Sequence, residues 1–304
     1  MNMKIFLQIS FVLAACPLFA QDDLMAELNQ SMPAQKDYTY ATFKGTRLVN
    51  LHTVETLGKG ALEFRIAHRF GPLSSGIDGF YGLDGPATIQ LRLDYAVSDR
   101  LLVGIGRSSE KKIVDGFVKY KWLRQTADNS MPVTVTPIGS INIFAEKNPT
   151  GSIGPDRYEF FSSRVSYYSS VMIARKFNPQ FSAQISPIYI HYNLVDKLLD
   201  KNDMVSLAGS ARYKFTRSVA FTAEYIQRLT PYTRDSNAYK NVLSLGFDIE
   251  TGGHVFQVFF TNGYSINEVR TIPYTAAGLK EMRLGFNVSR TFDVGSRKKK
   301  EKKW

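Results

Sequence analysis

Charged side chains stand at every second position in many segments of this chain, the spacing that puts them on one face of a β-strand. Between residues 61 and 70, for example, Glu63, Arg65 and Arg69 alternate with large apolar side chains. Facing lipid at mid-membrane, a cation costs about 2–4 kcal/mol, so in a membrane wall these groups must point into a lumen. A charged lumen could bind or pass small solutes. The alternative is a salt-bridged filling that only stiffens the wall.

Fifteen charged residues follow this inward spacing, and they are Glu63, Arg65, Arg69, Arg92, Asp94, Asp115, Lys119, Lys121, Arg164, Arg212, Lys214, Glu224, Arg228, Asp248 and Arg283. Ten are basic and five are acidic, so we expect a lumen that prefers anions. The candidate ligand-binding residues of the lumen are Glu63, Arg65, Arg69, Arg92, Lys119, Arg212, Glu224, Arg228 and Arg283.

Catalytic and metal chemistry find little support in the residue pattern. The chain has four histidines, His52, His68, His191 and His254, and no serine stands in a recognisable nucleophile motif beside any of them. A serine–histidine centre needs such a base near the serine. The histidine–serine motif of phospholipase-type twelve-stranded barrels is absent, as is the spacing of histidine-rich metal sites. We therefore expect a protein that is not an enzyme and holds no metal or cofactor.

The first twenty residues have the pattern of a cleavable signal peptide. Lys4 supplies a positive charge, a short apolar run follows, and Ala20 ends a sequence typical of a cleavage site. The only cysteine, Cys16, lies in this leader, so the mature chain would contain neither a disulfide nor a catalytic thiol. Residues 13–16 also resemble a lipobox, which would make Cys16 a lipidated N-terminus. Pro17 directly after the cysteine favours ordinary cleavage.

Strands must position the charged face. From about residue 60, apolar and polar side chains alternate in segments of about 10–16 residues, whereas a mean globular strand has about 5–6 and a tilted membrane strand needs about 9–11. We therefore predict an all-β fold, a transmembrane antiparallel β-barrel of about 12 strands over residues 60–292. A short N-terminal helix or linker, with helical turns at 22–30, precedes it. The segments run approximately over 60–70, 86–97, 100–109, 113–123, 132–146, 162–177, 180–193, 204–215, 218–229, 240–250, 253–262 and 281–292.

The connections alternate mostly between long and short, the pattern of extracellular loops and periplasmic turns. The long loop at 263–280 contrasts with the tight turn at Ser98-Asp99, although the connections at 110–112 and 124–131 break the alternation. Aromatic residues cluster at the predicted periplasmic ends, where rings at the headgroup level are expected. They are Tyr95, Tyr120, Trp122, Phe177, Phe181, Tyr213, Phe215, Phe221 and Phe292.

The two terminal segments are less regular. Residues 21–59 contain Arg47, His52 and Glu55 and could enter the barrel as a plug or line its periplasmic mouth; the alternative is a periplasmic linker with an irregular extra strand. If this segment fills the lumen, passive diffusion is not expected. Residues 293–304 form a basic tail, for which we expect a solvated periplasmic position near anionic lipid headgroups.

Six strings carry a resemblance to a known family: TFKGTR at 42–47, HTVETL at 52–57, HRFGP at 68–72, GLDG at 82–85, DRLLVGIGR at 99–107 and DGFVKYK at 115–121. On these strings the chain resembles a β-barrel family of Bacteroidetes-type bacteria that is known only as a domain of unknown function. The resemblance covers roughly residues 40–292 and implies a barrel in the outer membrane. It implies no activity, substrate or site residue.

The sequence thus predicts a protein exported to the outer membrane of a Gram-negative cell. Its expected function is porin-like passage or binding of small solutes, with a preference for anions. The alternative is a structural or docking barrel that serves a periplasmic or surface complex, as the N-terminal segment, the long loops and the basic tail suggest. Expected partners are outer-membrane lipids, the outer-membrane assembly machinery and a periplasmic protein, but not nucleic acid.

Overall fold

The computed structural model describes residues 36–147, 158–195, 200–230 and 238–295. Residues 36–38 belong to one unit, Met1–Tyr38, and the fold described below lies in the other, Thr39–Trp304. Within the described residues, twelve antiparallel strands close into a barrel, and the last strand pairs with the first. This confirms the predicted all-β barrel of 12 strands. The strands are β1 (Ala61–Pro72), β2 (Thr88–Ala96), β3 (Leu101–Ser108), β4 (Val114–Tyr120), β5 (Thr134–Ile143), β6 (Val165–Lys176), β7 (Phe181–Tyr192), β8 (Asp203–Lys214), β9 (Val219–Arg228), β10 (Val242–Thr251), β11 (His254–Thr261) and β12 (Arg283–Asp293).

Each strand has two unlike faces, as β2 illustrates. Gln90, Arg92 and Asp94 point inward and are at most 2% exposed, whereas Leu91 and Leu93 point outward and are 48% and 45% exposed. Apolar side chains outside and polar side chains inside are the reverse of a soluble protein. This distribution suits a wall that meets lipid on its outer face.

The two ends of the barrel differ. Ala61 at the start of β1 pairs with Asp293 at the end of β12, so both lie at the same end, where every connection except that between β4 and β5 is short. One of these is a two-residue turn at Gly252 and Gly253, which both have positive φ, a conformation that glycine adopts without strain. We call this the turn end and the opposite end the loop end. Exposed aromatic rings surround the turn end, at Tyr95, Tyr120, Trp122, Phe177, Tyr213, Phe215 and Phe292.

Among the described residues, no helix is long and apolar enough to cross a membrane. Several predicted features lie outside the described residues: the signal peptide at 1–20 with Cys16, the helical turns at 22–30, and the tail beyond residue 295.

Candidate functional site

Residues 42–55 fold as a hairpin inside the barrel, and we call them the hairpin plug. The amide of Leu48 donates to the carbonyl of Leu51 at 3.0 Å, and the amide of Thr53 donates to the carbonyl of Thr46 at 3.0 Å. Both arms and the turn between them are buried. The hairpin therefore lies against inward side chains of the barrel wall, as the contacts below show.

One carboxylate of the wall holds the turn of the hairpin plug. Glu224 of β9 accepts hydrogen bonds from the main-chain amides of Asn50 and Leu51, both at 3.1 Å, and from Asn50 Nδ2 at 2.8 Å. Successive amides of a turn form a concave donor site that suits an anion. Glu224 is only 1% exposed, so these bonds satisfy a charge that would otherwise be costly to bury.

Two cations of the wall bind carbonyl groups of the hairpin plug. Lys119 of β4 donates from Nζ to the carbonyls of Thr46 and Thr53, each at 3.2 Å, and so links the two arms. Arg69 of β1 donates to the carbonyl of Val49 at the turn, at 3.1 Å. Both cations are fully buried, and Arg69 also donates within the wall, to the carbonyl of His68 and to Asn287 Oδ1, each at 3.0 Å.

Neutral wall residues complete the recognition of the main chain. Gln184 of β7 donates to the carbonyl of His52 at 3.0 Å and accepts from the amide of Val54 at 2.9 Å. Three further wall side chains each donate to one carbonyl: Thr136 to Val54, Gln257 to Arg47 and Asn287 to Val49. The wall therefore binds mostly the backbone of the hairpin plug.

The apolar side chains of the hairpin plug face the less charged part of the wall. Phe43, Leu48, Leu51 and Val54 belong to one buried apolar cluster with inward residues of β5 to β9. Wall members of this cluster include Ile138, Met172, Ala174, Ile188, Ala208 and Ile226. The apolar side chains of the plug thus pack with apolar side chains of the wall, and charged side chains of the wall bind main-chain groups of the plug.

Ion pairs fix the hairpin plug to the rim at the turn end. Glu55 accepts from the amide of Thr42 at 2.8 Å and pairs with Lys121 at 3.1 Å, and Lys44 pairs with Glu250. These groups are partly exposed. Ion pairs in contact with water contribute only about 0–1 kcal/mol, so the buried contacts hold the plug more firmly.

The connection between β11 and β12 enters the barrel from the loop end, and we call residues 262–280 the inserted loop. It carries a short helix, α1 (Glu268–Tyr274), whose first turn is capped by the Asn267 side chain, which accepts from the amide of Val269 at 3.1 Å. The same side chain donates to Asn142 of β5 at 2.9 Å. The helix cap is therefore attached to the barrel wall.

Two more wall residues hold the inserted loop inside the lumen. Tyr192 of β7 donates from its hydroxyl to the carbonyl of Val269, and Arg228 of β9 donates to the carbonyl of Pro273 at 3.1 Å. The sequence predicts a long extracellular loop at 263–280 and gives no sign that it folds inward. The structure differs because hydrogen-bonding partners for the loop lie on distant strands.

The hairpin plug and the inserted loop meet at a buried ion pair between Arg47 and Glu268. Each residue is 3% exposed. His52 forms an antiparallel bridge with Arg47, lies 2.9 Å from its guanidinium through Nε2, and packs its ring edge-on against Phe117. Burial, and then the charge of Arg47, lowers the pKa of His52 well below its ordinary value, so the neutral ring accepts a hydrogen bond from Arg47.

Five of the nine predicted lumen residues contact the hairpin plug. Besides the three described above, these are Glu63 and Arg65 of β1. Thr46 Oγ1 donates to Glu63 at 2.8 Å and accepts from Arg65 at 2.9 Å. All three predicted plug residues, Arg47, His52 and Glu55, lie in the hairpin.

The other four predicted residues have partners elsewhere. Arg92 pairs with Asp115 at 2.5 Å, Arg212 lies 3.9 Å from Asp248, Arg228 binds the inserted loop, and the guanidinium of Arg283 lies 4.9 Å from the ring centre of Tyr264. The structure therefore does not gather the nine residues into one site.

Several contacts of the hairpin plug and the inserted loop are not among the predicted residues, and they include Asn50, Thr136, Asn142, Gln184, Tyr192, Gln257, Glu268 and Asn287. The wall residues of this set stand at inward positions of their strands, but neutral polar residues there are expected in any membrane barrel. Glu268 follows an asparagine, the type of residue that often precedes a helix, and this was a usable signal for α1.

The remaining imidazoles with described partners lie on the outer face. His191 of β7 contacts Asp203 of β8 at 2.7 Å through Nδ1, and His68 of β1 stacks on Phe286 at 5.1 Å between ring centres. In the part of the chain that the structure describes, no group of three or more His, Cys, Asp or Glu side chains could hold a metal ion.

Arg69 rests on an aromatic ring that needs two glycines beside it. Phe259 of β11 pairs with Gly246 on one side and Gly285 on the other, and the guanidinium carbon of Arg69 lies 4.3 Å from the ring centre. A Cβ added to Gly285 would lie 2.4 Å from the Phe259 ring. The space beside this glycine is therefore already occupied by the ring.

We expect Gly285→Val to destabilise the barrel by about 1–3 kcal/mol, because Phe259 and Arg69 would have to move. Gly139→Val is the matched control, since Gly139 points outward into open space. The temperature at which the folded band disappears in heat-modifiable gel electrophoresis measures both variants. Equal transition temperatures would contradict the prediction.

Comparison with known proteins places the chain in a family. A family model described as "Membrane bound beta barrel domain (DUF5777)" matches residues 43–292, and no protein among those with curated descriptions shows significant similarity. Among solved structures, the NanC porin is similar over 75% of this chain and 98% of its own length, with 11% identity and a TM-score of 0.46. The KdgM porin is similar over 76% of this chain and 99% of its own length, with 10% identity and a TM-score of 0.45. Outer membrane phospholipase A from Escherichia coli is similar over 83% of this chain and 96% of its own length, with 13% identity and a TM-score of 0.43. Because the family match runs from the hairpin plug to β12, the chain belongs to the membrane-bound β-barrel family DUF5777.

Proposed function

We propose that this barrel is a gated, porin-like channel of the outer membrane, closed while the hairpin plug is in place. The observation that carries the proposal is that the hairpin plug is not one of the strands of the closed sheet. Side chains of the wall hold it instead. Each of the twelve strands keeps both of its neighbours without it. The plug can therefore leave without breaking any strand pairing.

The strength of this attachment favours a closed resting state. Among the described residues, eleven hydrogen bonds join wall side chains to the main chain of the plug. Each such bond contributes about 0.5–1.5 kcal/mol net, so even the lower values give a total on the order of 5 kcal/mol. Opening would then need an input, and we propose that a periplasmic protein supplies it by binding the N-terminal segment.

We propose that small solutes pass the open barrel and that its ionic current favours anions. A departing plug would leave Arg65, Arg69 and Lys119 facing water, against Glu63 and Glu224. Cations on a pore wall raise the local concentration of anions. The inward excess of basic residues along the whole chain supports the same preference.

We further propose that the protein resides in the outer membrane of a Bacteroidetes-type bacterium, with the turn end in the periplasm, after removal of the signal peptide at 1–20. The outward apolar side chains and the exposed aromatic residues support the membrane location, and the mostly short connections at the turn end support its periplasmic position. Expected partners are outer-membrane lipids around the barrel and the assembly machinery that inserts it. The basic tail at 293–304 would lie near lipid headgroups.

Conductance in planar lipid bilayers tests the proposed channel. Four proteins are compared: the full chain, a chain without residues 21–55, a chain with the inserted loop replaced by a short turn, and a chain with both changes. We expect little current from the first, and stable, anion-selective channels from the doubly changed barrel, because both fillings block the lumen. A doubly changed barrel that is folded by heat-modifiable mobility but does not conduct would overturn the proposal.

A second candidate function is a structural or docking barrel without transport or catalysis. The buried junction of Arg47 with Glu268 favours it, because the lumen is filled from both ends and the two fillings support each other. Crosslinking on intact cells, followed by purification of the full chain, tests this candidate. A consistent periplasmic partner together with zero conductance in all four proteins would support it over the channel.

A further inference from the structure

The wall of the lumen recognises features that all polypeptides share. Its eleven hydrogen bonds to the main chain of the hairpin plug use carboxylate, ammonium, guanidinium, amide and hydroxyl groups, and they reach both amides and carbonyls of the plug. A wall adapted only to small anions would present donors alone. Here Glu224 and the Gln184 carbonyl accept, and both accept from peptide amides.

We infer that the lumen is a binding site for oligopeptides and that the hairpin plug is its resident, covalently attached occupant. The inference rests on the proposed function, since the plug must leave before another peptide can enter. The ligand class is a peptide of about a dozen residues that can form a tight turn.

The geometry at Gln184 shows how the wall imitates a neighbouring strand. Its side-chain amide donates to the carbonyl of His52 and accepts from the amide of Val54, two residues further along the same arm. Thr136 then donates to the carbonyl of Val54. A neighbouring β-strand offers alternating donors and acceptors in the same way, so an extended peptide of another sequence could use these contacts too.

The turn and the arms are recognised separately. Glu224 occupies the concavity formed by the amides of Asn50 and Leu51, and Lys119 holds the carbonyls of Thr46 and Thr53 where the two arms pair. These contacts require a hairpin shape and do not depend on the side chains at the bound positions.

Side-chain preference comes from the remaining contacts. Glu268 faces the position of Arg47, and apolar wall residues surround the positions of Phe43, Leu48 and Leu51. We therefore expect a preferred peptide to carry apolar residues on both arms and one basic residue before the turn. A peptide with an acidic residue at the position of Arg47 would be disfavoured by Glu268.

Block of the open barrel by a synthetic peptide tests the inference. The doubly changed barrel, which lacks residues 21–55 and carries a short turn in place of the inserted loop, is reconstituted in planar bilayers, and a peptide of residues 42–55, acetylated and amidated, is added from the turn end. We expect it to interrupt the current at micromolar concentration and a scrambled peptide of equal charge to do so at least tenfold more weakly. Glu224→Gln in the barrel is expected to weaken block by the native peptide at least tenfold. Asp203→Asn, which removes a carboxylate from the outer face, should leave block unchanged.

A second measurement does not depend on conductance or on folding without the plug. A protease site is inserted between Gly58 and Lys59 of the full chain, which folds with its plug in place and is then cut. Fluorescent peptide 42–55 should replace the cut segment and co-elute with the barrel in gel filtration, whereas the scrambled peptide should not. A barrel that conducts but responds equally to both peptides, or a cut barrel that exchanges neither, would overturn the inference while leaving the channel proposal intact. Peptide exchange without conductance would instead overturn the channel proposal alone.

Discussion

Glu268→Ala is expected to destabilise the closed state by about 3–5 kcal/mol, because it leaves the guanidinium of Arg47 buried without its partner carboxylate. The guanidinium of Arg47 keeps its contacts with the carbonyl of Asn50 and the neutral ring of His52, but neither group carries a full negative charge. Water can reach Arg47 if the hairpin plug moves toward the turn end. The mutation should therefore act mainly by opening the lumen, while the strand pairing of the barrel persists.

Labelling of a lumen cysteine measures this opening. Ser186 of β7 is 2% exposed, so Ser186→Cys, in a chain whose Cys16 is replaced by serine, should react slowly with a maleimide. Glu268→Ala should raise the labelling rate at least tenfold, and Arg47→Ala added to it should restore slow labelling because no unpaired charge remains. Glu281→Ala, which removes an exposed carboxylate close to the inserted loop, is the control. Equal rates in all variants would show that the ion pair does not hold the two fillings together.

Glu224→Ala should release the turn of the hairpin plug, with a cost to the closed state of about 1–3 kcal/mol for each of the two main-chain amides that lose their acceptor. Arg69 would also lose the attraction of the Glu224 charge. The amides of Asn50 and Leu51 cannot turn to another acceptor without changing the hairpin. We therefore expect this single truncation to mobilise the whole turn.

Limited proteolysis from the turn end detects that release. Trypsin cleaves after Arg47 only when the hairpin is accessible, and Arg47 is 3% exposed in the closed state. Cleavage there should be at least tenfold faster in Glu224→Ala than in the parent. Glu224→Gln should lie between the two, because an amide oxygen can still accept one of the bonds. Unchanged cleavage in Glu224→Ala would mean that the turn is held mainly by its apolar contacts.

The barrel could be predicted from the sequence because inside and outside are encoded locally. In β2, three inward polar residues alternate with outward leucines, and no distant residue is needed to assign their faces. The predicted segments overlap all twelve strands for the same reason. The long connection at 124–131 remains an exception to the alternation, since it joins β4 to β5 at the turn end, where a short turn is expected.

The candidate site could be predicted only in part. Arg69, Lys119 and Glu224 stood out because a charge at an inward position is conspicuous, but their partners are main-chain groups of the hairpin plug, which side-chain patterns do not specify. The inward fold of the inserted loop could not be predicted from the sequence for a related reason. Glu268 and Arg47 are 221 positions apart in the chain, and neither has a local feature that identifies the other.

The path of the chain gives the hairpin plug a direction of movement. It is joined to β1 through residues 56–60, and its other arm leads to Thr39, whose amide donates to Gln125 in the connection after β4. Both ends of the hairpin therefore leave the barrel through the same mouth, and no part of it threads past the loop end. A pulling force applied at the turn end would extract the hairpin along the barrel axis, whereas none of the described residues joins it covalently to the loop end.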